Sequence, residues 1–384
     1  MFLHWYWSLP ASNLSLSRHI LTPLRNQIVG QMRSILLTFL AFGFAIAANA
    51  QSGRIKPAKT PEPRIIVGPS VLTLPAAKTA PPPTPTPLHS KDESDELIKV
   101  RSVLVPIPVS VTDSSGRSVS TLGISDFELK VDGKPAEIAD LARSETPIRL
   151  AMLFDNSSSV LIARDFERQA AQRFFKRVIR PDKDKAALFS VADSTQLEMA
   201  ITSEVGRLTA AIERFPDPKG ATALLDGILE VSEYMRSFNG RRVVVIVSDG
   251  EDTYSDMATS LETVVRSLLS NDCQVYVVKT KDFENYKLTG VRGGNANIRA
   301  LTAERRMIEI AQQTGGTVYS PIDENEMNAA FNRISAELSQ QYILSYYPEE
   351  TADKGGEFRS ITLSVKNRPD LTVRTRKGYY VPKK

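Results

Sequence analysis

Apolar and polar positions along the chain follow three different rhythms. Over 97–141 they alternate. Leu104-Val105-Pro106-Ile107-Pro108-Val109-Ser110-Val111 and Asp126-Phe127-Glu128-Leu129-Lys130-Val131 have the period of half-buried strands. Asp113-Ser114-Ser115-Gly116 and Asp132-Gly133 between and after them are turn signals. The prolines of the first run predict an edge strand. From 147 the rhythm changes to near-continuous apolar runs, the mark of strands buried on both faces. These runs are Ile148-Arg149-Leu150-Ala151-Met152-Leu153-Phe154, Lys185–Val191, Val243–Val247 and Gln274–Val278, with a short one at Thr317-Val318-Tyr319. Between them, helical spacing predicts helices over 162–179, 204–215, 222–238, 256–270, 298–314 and 324–340. The Gly- and Asn-rich stretch 290–297 predicts an exposed loop. The third rhythm is a return to alternation at Tyr342–Tyr347, Ile361–Val365 and Thr372-Val373-Arg374.

Strands alternating with helices predict a doubly wound, mostly parallel α/β sheet over 147–340. Neither flanking β piece is large enough to stand well alone. We therefore expect 94–146 and 341–384 to pair into one small all-β, sandwich-like domain with the α/β part inserted between them; two separate small sheets are the alternative.

The N-terminal region has a different character. Met32-Arg33-Ser34 precedes the apolar run Ile35–Ala47, and Ala48-Asn49-Ala50 follows. This order matches a secretory signal, with cleavage expected after Ala50 and Met32 as the expected true start. The run is shorter than the roughly 20 residues of a spanning helix, so a membrane association is expected only if this leader stays uncleaved. Residues 1–50 are thus read as leader and 51–93 as a spacer, since 57–87 alone holds ten of the 23 prolines. Export implies a periplasmic, envelope-associated or secreted protein.

Composition then narrows the chemistry. The 384 residues contain three histidines, His4, His19 and His89, and one cysteine, Cys273. From 90 onward there is no imidazole, which excludes Ser-His-Asp and Cys-His catalysis. Cys/His zinc sites and an intramolecular disulfide are excluded as well. The formal charge of +4 hints at nucleic acid, but it falls to +1 when Arg18, Arg25 and Arg33 leave with the leader. No nucleic-acid partner is expected. A metal here must be a hard cation held by oxygen.

Oxygen ligands are present where an open α/β sheet places its ligands, at carboxyl ends of strands. Asp155-Asn156-Ser157-Ser158-Ser159 follows the first buried run directly. Gly220-Ala221-Thr222 opens a helix, and Ser248-Asp249-Gly250 ends the most apolar strand. Each alone also suits a helix cap. Together they offer two carboxylates, Asp155 and Asp249, and three hydroxyls, Ser157, Ser159 and Thr222. Such a set suits Mg²⁺ or Mn²⁺ with water completing an octahedron. Glu251 and Asp252 read as solvated turn residues, Cys273 as a buried small apolar residue, and the tyrosines of 342–347 as packing groups.

These three segments, in this element order, resemble the von Willebrand factor type A (VWFA) domain with its metal-ion-dependent adhesion site (MIDAS). The flanking stretches Val109–Val131, Asp249-Gly250-Glu251-Asp252 and Gln341–Tyr347 resemble more narrowly the VWFA-related domain proteins of Acidobacteria. The resemblance implies a VWFA/Rossmann-like sheet. It also implies direct metal contact by Ser157, Ser159 and Thr222, with Asp155 and Asp249 often acting through water. The implied activity is non-enzymatic: binding of a protein that offers an acidic side chain to the metal. The family usually has two glycines before the threonine, and Ala221 replaces the second. In related adhesion domains the last helix moves on ligand binding. Here the helix over 324–340 would pass that motion to the β part. A metal-assisted hydrolase and a structural envelope protein without a functional metal site are the competing readings.

Overall fold

The computed structural model describes residues 104–143, 146–293, 297–348 and 355–382. The expected leader and spacer, 1–93, lie outside the described residues. The central sheet has six strands, ordered β10-β9-β8-β5-β6-β7. They are β5 (Ile148–Asp155), β6 (Lys185–Val191), β7 (Thr195–Thr202), β8 (Arg241–Ser248), β9 (Cys273–Lys279) and β10 (Val318–Tyr319). All neighbours run parallel except β7, which is antiparallel to β6.

The continuous apolar runs are explained by helices on both faces. Leu150, Met152 and Phe154 of β5 point to one side, together with Val243, Val245 and Val247 of β8. There they meet α1 (Arg164–Val178), α2 (Val205–Glu213) and α7 (Glu324–Gln340). Ala151, Leu153, Val244 and Ile246 point to the other side. They meet α3 (Leu224–Met235), α4 (Leu261–Ser270) and α6 (Ile298–Thr314). A short helix, α5 (Lys281–Thr289), packs Phe283 against Phe166 of α1 with ring centroids 5.2 Å apart.

Within the α/β part, two elements depart from the sequence expectation. Strand β7 was not expected; its side chains are mostly half-buried or exposed because it is the sheet edge, so the long apolar run of a central strand is missing. Helix α5 was not expected either, since only Phe283 and Glu284 of its nine residues are buried. The helices expected over 256–270 and 222–238 start later, at Leu261 and Leu224. The residues before them form the loops of the candidate site.

The flanking β segments build two four-stranded sheets, ordered β13-β1-β11-β4 and β14-β12-β2-β3. Their strands are β1 (Val105–Thr112), β2 (Phe127–Val131), β3 (Lys134–Ala136) and β4 (Asp140–Arg143) from before the α/β part. From after it come β11 (Tyr342–Tyr346), β12 (Phe358–Val365), β13 (Thr372–Thr375) and β14 (Gly378–Tyr380). Each sheet mixes strands from both flanks. One core joins them: Ile107, Val109, Tyr342 and Leu344 from the first, Phe127, Leu129, Ile361 and Tyr379 from the second. Phe127 and Tyr342 meet edge to face at 5.6 Å. Tyr342 and Tyr346 are core residues, whereas Tyr347 is exposed. The expectation that the Pro106–Pro108 segment forms an edge strand is corrected. Strand β1 lies between two neighbours, but β13 pairs only with 109–112, so the prolines face no N–H-demanding partner on that side. No helix among the described residues is long and apolar enough to cross a membrane.

Candidate metal centre

In chain order the central sheet runs from β5 outward to β6 and β7, then returns to β8 on the other side of β5. The adjacent carboxyl ends of β5 and β8 are therefore a topological switch point, where the loops diverge and leave a crevice. Asp155 closes β5, and Asp249 follows the last residue of β8. The register sets Phe154 beside Val247, which brings Ser248 alongside Asp155; the Ser248 hydroxyl donates to Asp155 Oδ2 at 2.6 Å.

Three loops converge at this crevice and are laced to one another by backbone bonds. Ser157 N donates to Asp155 Oδ1 at 2.9 Å, folding the loop back over the strand end. The Ser157 and Ser159 hydroxyls then lie 2.9 Å apart, Ser157 buried and Ser159 exposed. Ser158 N reaches Gly220 O at 3.3 Å, and Lys219 N reaches Asn156 O at 2.9 Å. On the other side, Thr253 N and Tyr254 N both donate to Thr222 O, at 2.8 and 2.9 Å, and Thr222 N donates to Thr253 Oγ1 at 3.0 Å.

Glycine at 220 has a specific reason. Its φ is +80°, and a Cβ there would lie 2.7 Å from Asp193 Oδ1. That same oxygen accepts from Ala221 N at 2.6 Å. The Asp193 carboxylate thus clamps the turn from which Thr222 projects, and Ala221 is accommodated where a second glycine is usual.

Asp155 and Asp249 are both fully buried. Burial, and then the neighbouring Asp249 charge, push the Asp155 carboxyl up to about 6 despite hydrogen bonds from Ser157 and Ser248. Asp249 Oδ1 accepts from Glu251 N at 2.9 Å, while Oδ2 is buried and accepts no hydrogen bond. The nearest cation to Oδ2 is the Lys281 ammonium at the start of α5, 3.6 Å away. Lys281 also faces Glu251 Oε1 at 3.3 Å and Glu284 Oε2 at 3.8 Å. Burial lowers the Lys281 pKa, but the charges of Asp249, Glu284 and Glu251 outweigh it and hold it above its ordinary value. Burial, followed by the Asp249 charge, raises Glu284 to about 8.

The reading of Glu251 and Asp252 as solvated turn residues is corrected. The Glu251 side chain is 20% exposed and paired with Lys281. Asp252 is 10% exposed, and its Oδ1 accepts from Leu224 N at 2.9 Å, Leu225 N at 3.4 Å and Ser255 Oγ at 2.6 Å. It caps α3 from a distant loop, because the residue at the cap position, Ala223, has no side-chain acceptor. Lys281 was missed altogether; its signal in the sequence was only a lysine two residues past a buried strand. Cys273 is buried, and burial pushes its thiol up to about 12.

Among the described residues, no group of three or more His, Cys, Asp or Glu side chains could hold a metal. Any metal here depends on hydroxyls with two carboxylates at most. The residues fit that demand: a buried carboxylate oxygen without a hydrogen bond lies near a second buried carboxylate, and the loops that meet there carry Ser157, Ser159 and Thr222. Hard oxygen donors of this kind suit a small divalent cation.

Comparison with known domain families agrees with the fold. Residues 150–329 match the sequence model of the von Willebrand factor type A domain. No curated protein sequence matches the chain. Among solved structures, the PilB minor pilin from Streptococcus sanguinis is 13% identical with a TM-score of 0.39, over 51% of this chain and 62% of the pilin. This chain thus spans about three fifths of the pilin's length. BatB from Bacteroides thetaiotaomicron is 18% identical with a TM-score of 0.37, over 49% of this chain and 97% of BatB. Proximal thread matrix protein 1 from the mussel byssus, solved with a zinc-occupied MIDAS motif, is 16% identical with a TM-score of 0.40, over 55% of this chain and 50% of its own.

Proposed function

Residues 150–329 being a von Willebrand factor type A domain, we propose that this protein is an exported, metal-dependent protein-binding module rather than an enzyme. Ser157, Ser159 and Thr222 would contact Mg²⁺ or Mn²⁺ directly, and Asp155 and Asp249 would neutralise it, largely through water. The bound ion would supply an electrophilic position for an acidic side chain of a partner protein. The observation that carries this reading is the buried Asp249 Oδ2, which accepts no hydrogen bond beside the buried Asp155. Leaving a carboxylate oxygen buried and unbonded is costly unless a cation completes it.

Each side chain has a distinct task. Ser248 and the Ser157 amide fix the Asp155 carboxylate through its two oxygens. Glu251 N fixes Asp249 through Oδ1 and so aims Oδ2. The Asp193 clamp and the paired bonds from Thr253 and Tyr254 hold the Thr222 turn. A binding role also suits the absence of any histidine from 90 onward, which leaves no imidazole for proton transfer. Export rests on the signal-like order of residues 32–50, and retention in the envelope or release would both follow from it.

Calorimetric titration of residues 94–384 with Mg²⁺ and Mn²⁺ tests the reading. Saturable binding is expected, and Thr222→Ala and Ser157→Ala should abolish it while leaving the fold intact by circular dichroism. Absence of binding in the unaltered protein would leave the structural envelope reading. Phosphoesterase activity lost with Asp249→Ala would establish the hydrolase reading instead.

A further inference from the structure

We propose that Lys281 is a built-in counter-cation of the site: its ammonium neutralises Asp249 in the metal-free protein and holds divalent-metal affinity down. The second half of this proposal rests on the metal-binding reading above; the first half does not.

The geometry is specific. Lys281 opens α5 two residues past the end of β9, the strand beside β8, and Thr280 N donates to Ser248 O at 3.0 Å, so its position is set by the sheet. The ammonium lies 3.6 Å from Asp249 Oδ2, the same oxygen that accepts no hydrogen bond. Glu251 Oε1 at 3.3 Å and Glu284 Oε2 at 3.8 Å are also within reach of it. The Lys281 side chain is only 21% exposed, so solvent screens these pairs less than it would a surface bridge. The next lysine back, Lys279, does not share this task; it pairs with Asp282 at 3.5 Å and Glu304 at 3.2 Å.

A lysine is suited to this role because its ammonium is a compact point charge on a flexible stem. It can stand near a carboxylate without the fixed fork of a guanidinium. In the metal-free protein it offsets the buried Asp249 charge, which otherwise has only the Glu251 amide on Oδ1 and the like charge of Asp155 nearby. A divalent ion taking up the same carboxylate has to approach this ammonium or displace it. Two like charges a few ångströms apart in a partly buried site repel by several times the thermal energy. Glu251, 3.3 Å away, gives the displaced ammonium an anionic partner, so the exchange needs no unfolding.

The test is made on the full-length protein with Lys281→Met, which keeps the stem and removes the charge, and Lys281→Arg, which keeps the charge. In chelator, Lys281→Met should lower the melting temperature, and by a smaller amount when Asp249→Asn is already present. Equal drops in both backgrounds would overturn the counter-cation role. In Mg²⁺ titrations, Lys281→Met should bind about tenfold more tightly than the unaltered protein, with Lys281→Arg close to unaltered. Equal affinities in all three would overturn the role in metal binding. If no form binds Mg²⁺, the metal-binding reading and the second half fall together, while the chelator measurements still decide the first half.

Discussion

Removing the Asp252 carboxylate should destabilise the protein by about 2 kcal/mol and weaken metal binding without touching a proposed ligand. One oxygen of Asp252 accepts the first two amides of α3, from Leu224 and Leu225, and the Ser255 hydroxyl. Loss of such a cap costs about 1 kcal/mol. Leaving the half-buried Ser255 hydroxyl and the Leu224 amide without an acceptor adds about 1 kcal/mol more. The Arg306 contact, at 4.0 Å, adds at most about 0.5 kcal/mol. For a domain of 150–250 residues, 2 kcal/mol corresponds to a melting-point loss of about 4–8 °C. Asp252→Ala measured by urea unfolding should move the midpoint with an unchanged slope. Asp252→Asn keeps the accepting oxygen and loses only the charge facing the helix N-terminus, so it should cost no more than about 1 kcal/mol. Thr222 lies two residues before Leu224, so Asp252→Ala should also raise the Mg²⁺ concentration for half-saturation, and Asp252→Asn much less. Equal midpoints for the two variants would refute the capping argument. An unchanged Mg²⁺ titration in Asp252→Ala would refute the link from cap to site.

Two other perturbations test the loops and the base of the sheet. Gly220→Ala forces a methyl against the Asp193 carboxylate at a φ of +80°, so it should cost more than Gly116→Ala, where φ is +77° and nothing lies within 4 Å. The excess, read by urea midpoints, should be about 1 kcal/mol or more, and Gly220→Ala alone should impair Mg²⁺ binding. Asp184 accepts from Ile148 N at 2.8 Å and from the Arg180 side chain at 2.6 and 2.9 Å. Burial would raise its pKa, but the bonds from Arg180 and Ile148 outweigh burial and hold it below the ordinary carboxylate range. Its stabilisation is therefore complete above the unfolded-chain pKa of about 4 and fades as pH falls through the folded value. Asp184→Asn should flatten that part of the acid limb in urea midpoints measured from pH 6 to 2; an identical slope in both proteins would contradict it.

What the sequence revealed, and what it concealed, follows from where the determining contacts lie. Strands β5 and β8 were legible because both faces are covered, so Leu150–Phe154 and Val243–Val247 are apolar without interruption. Asp155, Ser157, Ser159, Thr222 and Asp249 were legible as candidates because each follows a strand end or opens a helix in its own segment. Asp252 was misread because its partners, Leu224 and Leu225, are 28 and 27 residues away in sequence, and no local pattern encodes a cap supplied by another loop. Lys281 was missed for the same reason: its three acidic partners come from β8's loop and from α5, an element with too few buried positions to announce itself. The flanking strands β1, β2, β11, β12 and β13 were legible singly, whereas β3, β4 and β14, three or four residues each, are too short to show a period. Their division into two sheets was not, because β11 and β12 are consecutive in sequence but belong to different layers of one core.

The last helix carries a further consequence for how binding at the site reaches the rest of the protein. Its final turn is anchored by buried polar contacts to both the central sheet and the β layers. Glu337 accepts from Tyr276 Oη at 3.2 Å and Tyr319 Oη at 2.9 Å, and also pairs with Arg374 of β13. Gln341 Nε2 donates to Ser110 Oγ of β1 at 3.0 Å and Gln274 Oε1 of β9 at 3.1 Å, and its Oε1 accepts from Arg241. Arg241 donates in addition to Leu338 O at 2.9 Å. A slide of α7 by one turn, about 5.4 Å, would separate all of these groups. Breaking one buried charged pair costs roughly 3–5 kcal/mol, and here the Glu337–Arg374 pair and the Arg241 contacts would break together. A ligand can shift such an equilibrium only by its difference in affinity for the two states. These contacts oppose a slide at the end of α7, so the coupling implied by related adhesion domains would have to overcome them to reach the β layers. If they hold, hydrogen exchange over 324–347 should be unchanged when a ligand engages the site; a change there would show that the motion passes Glu337.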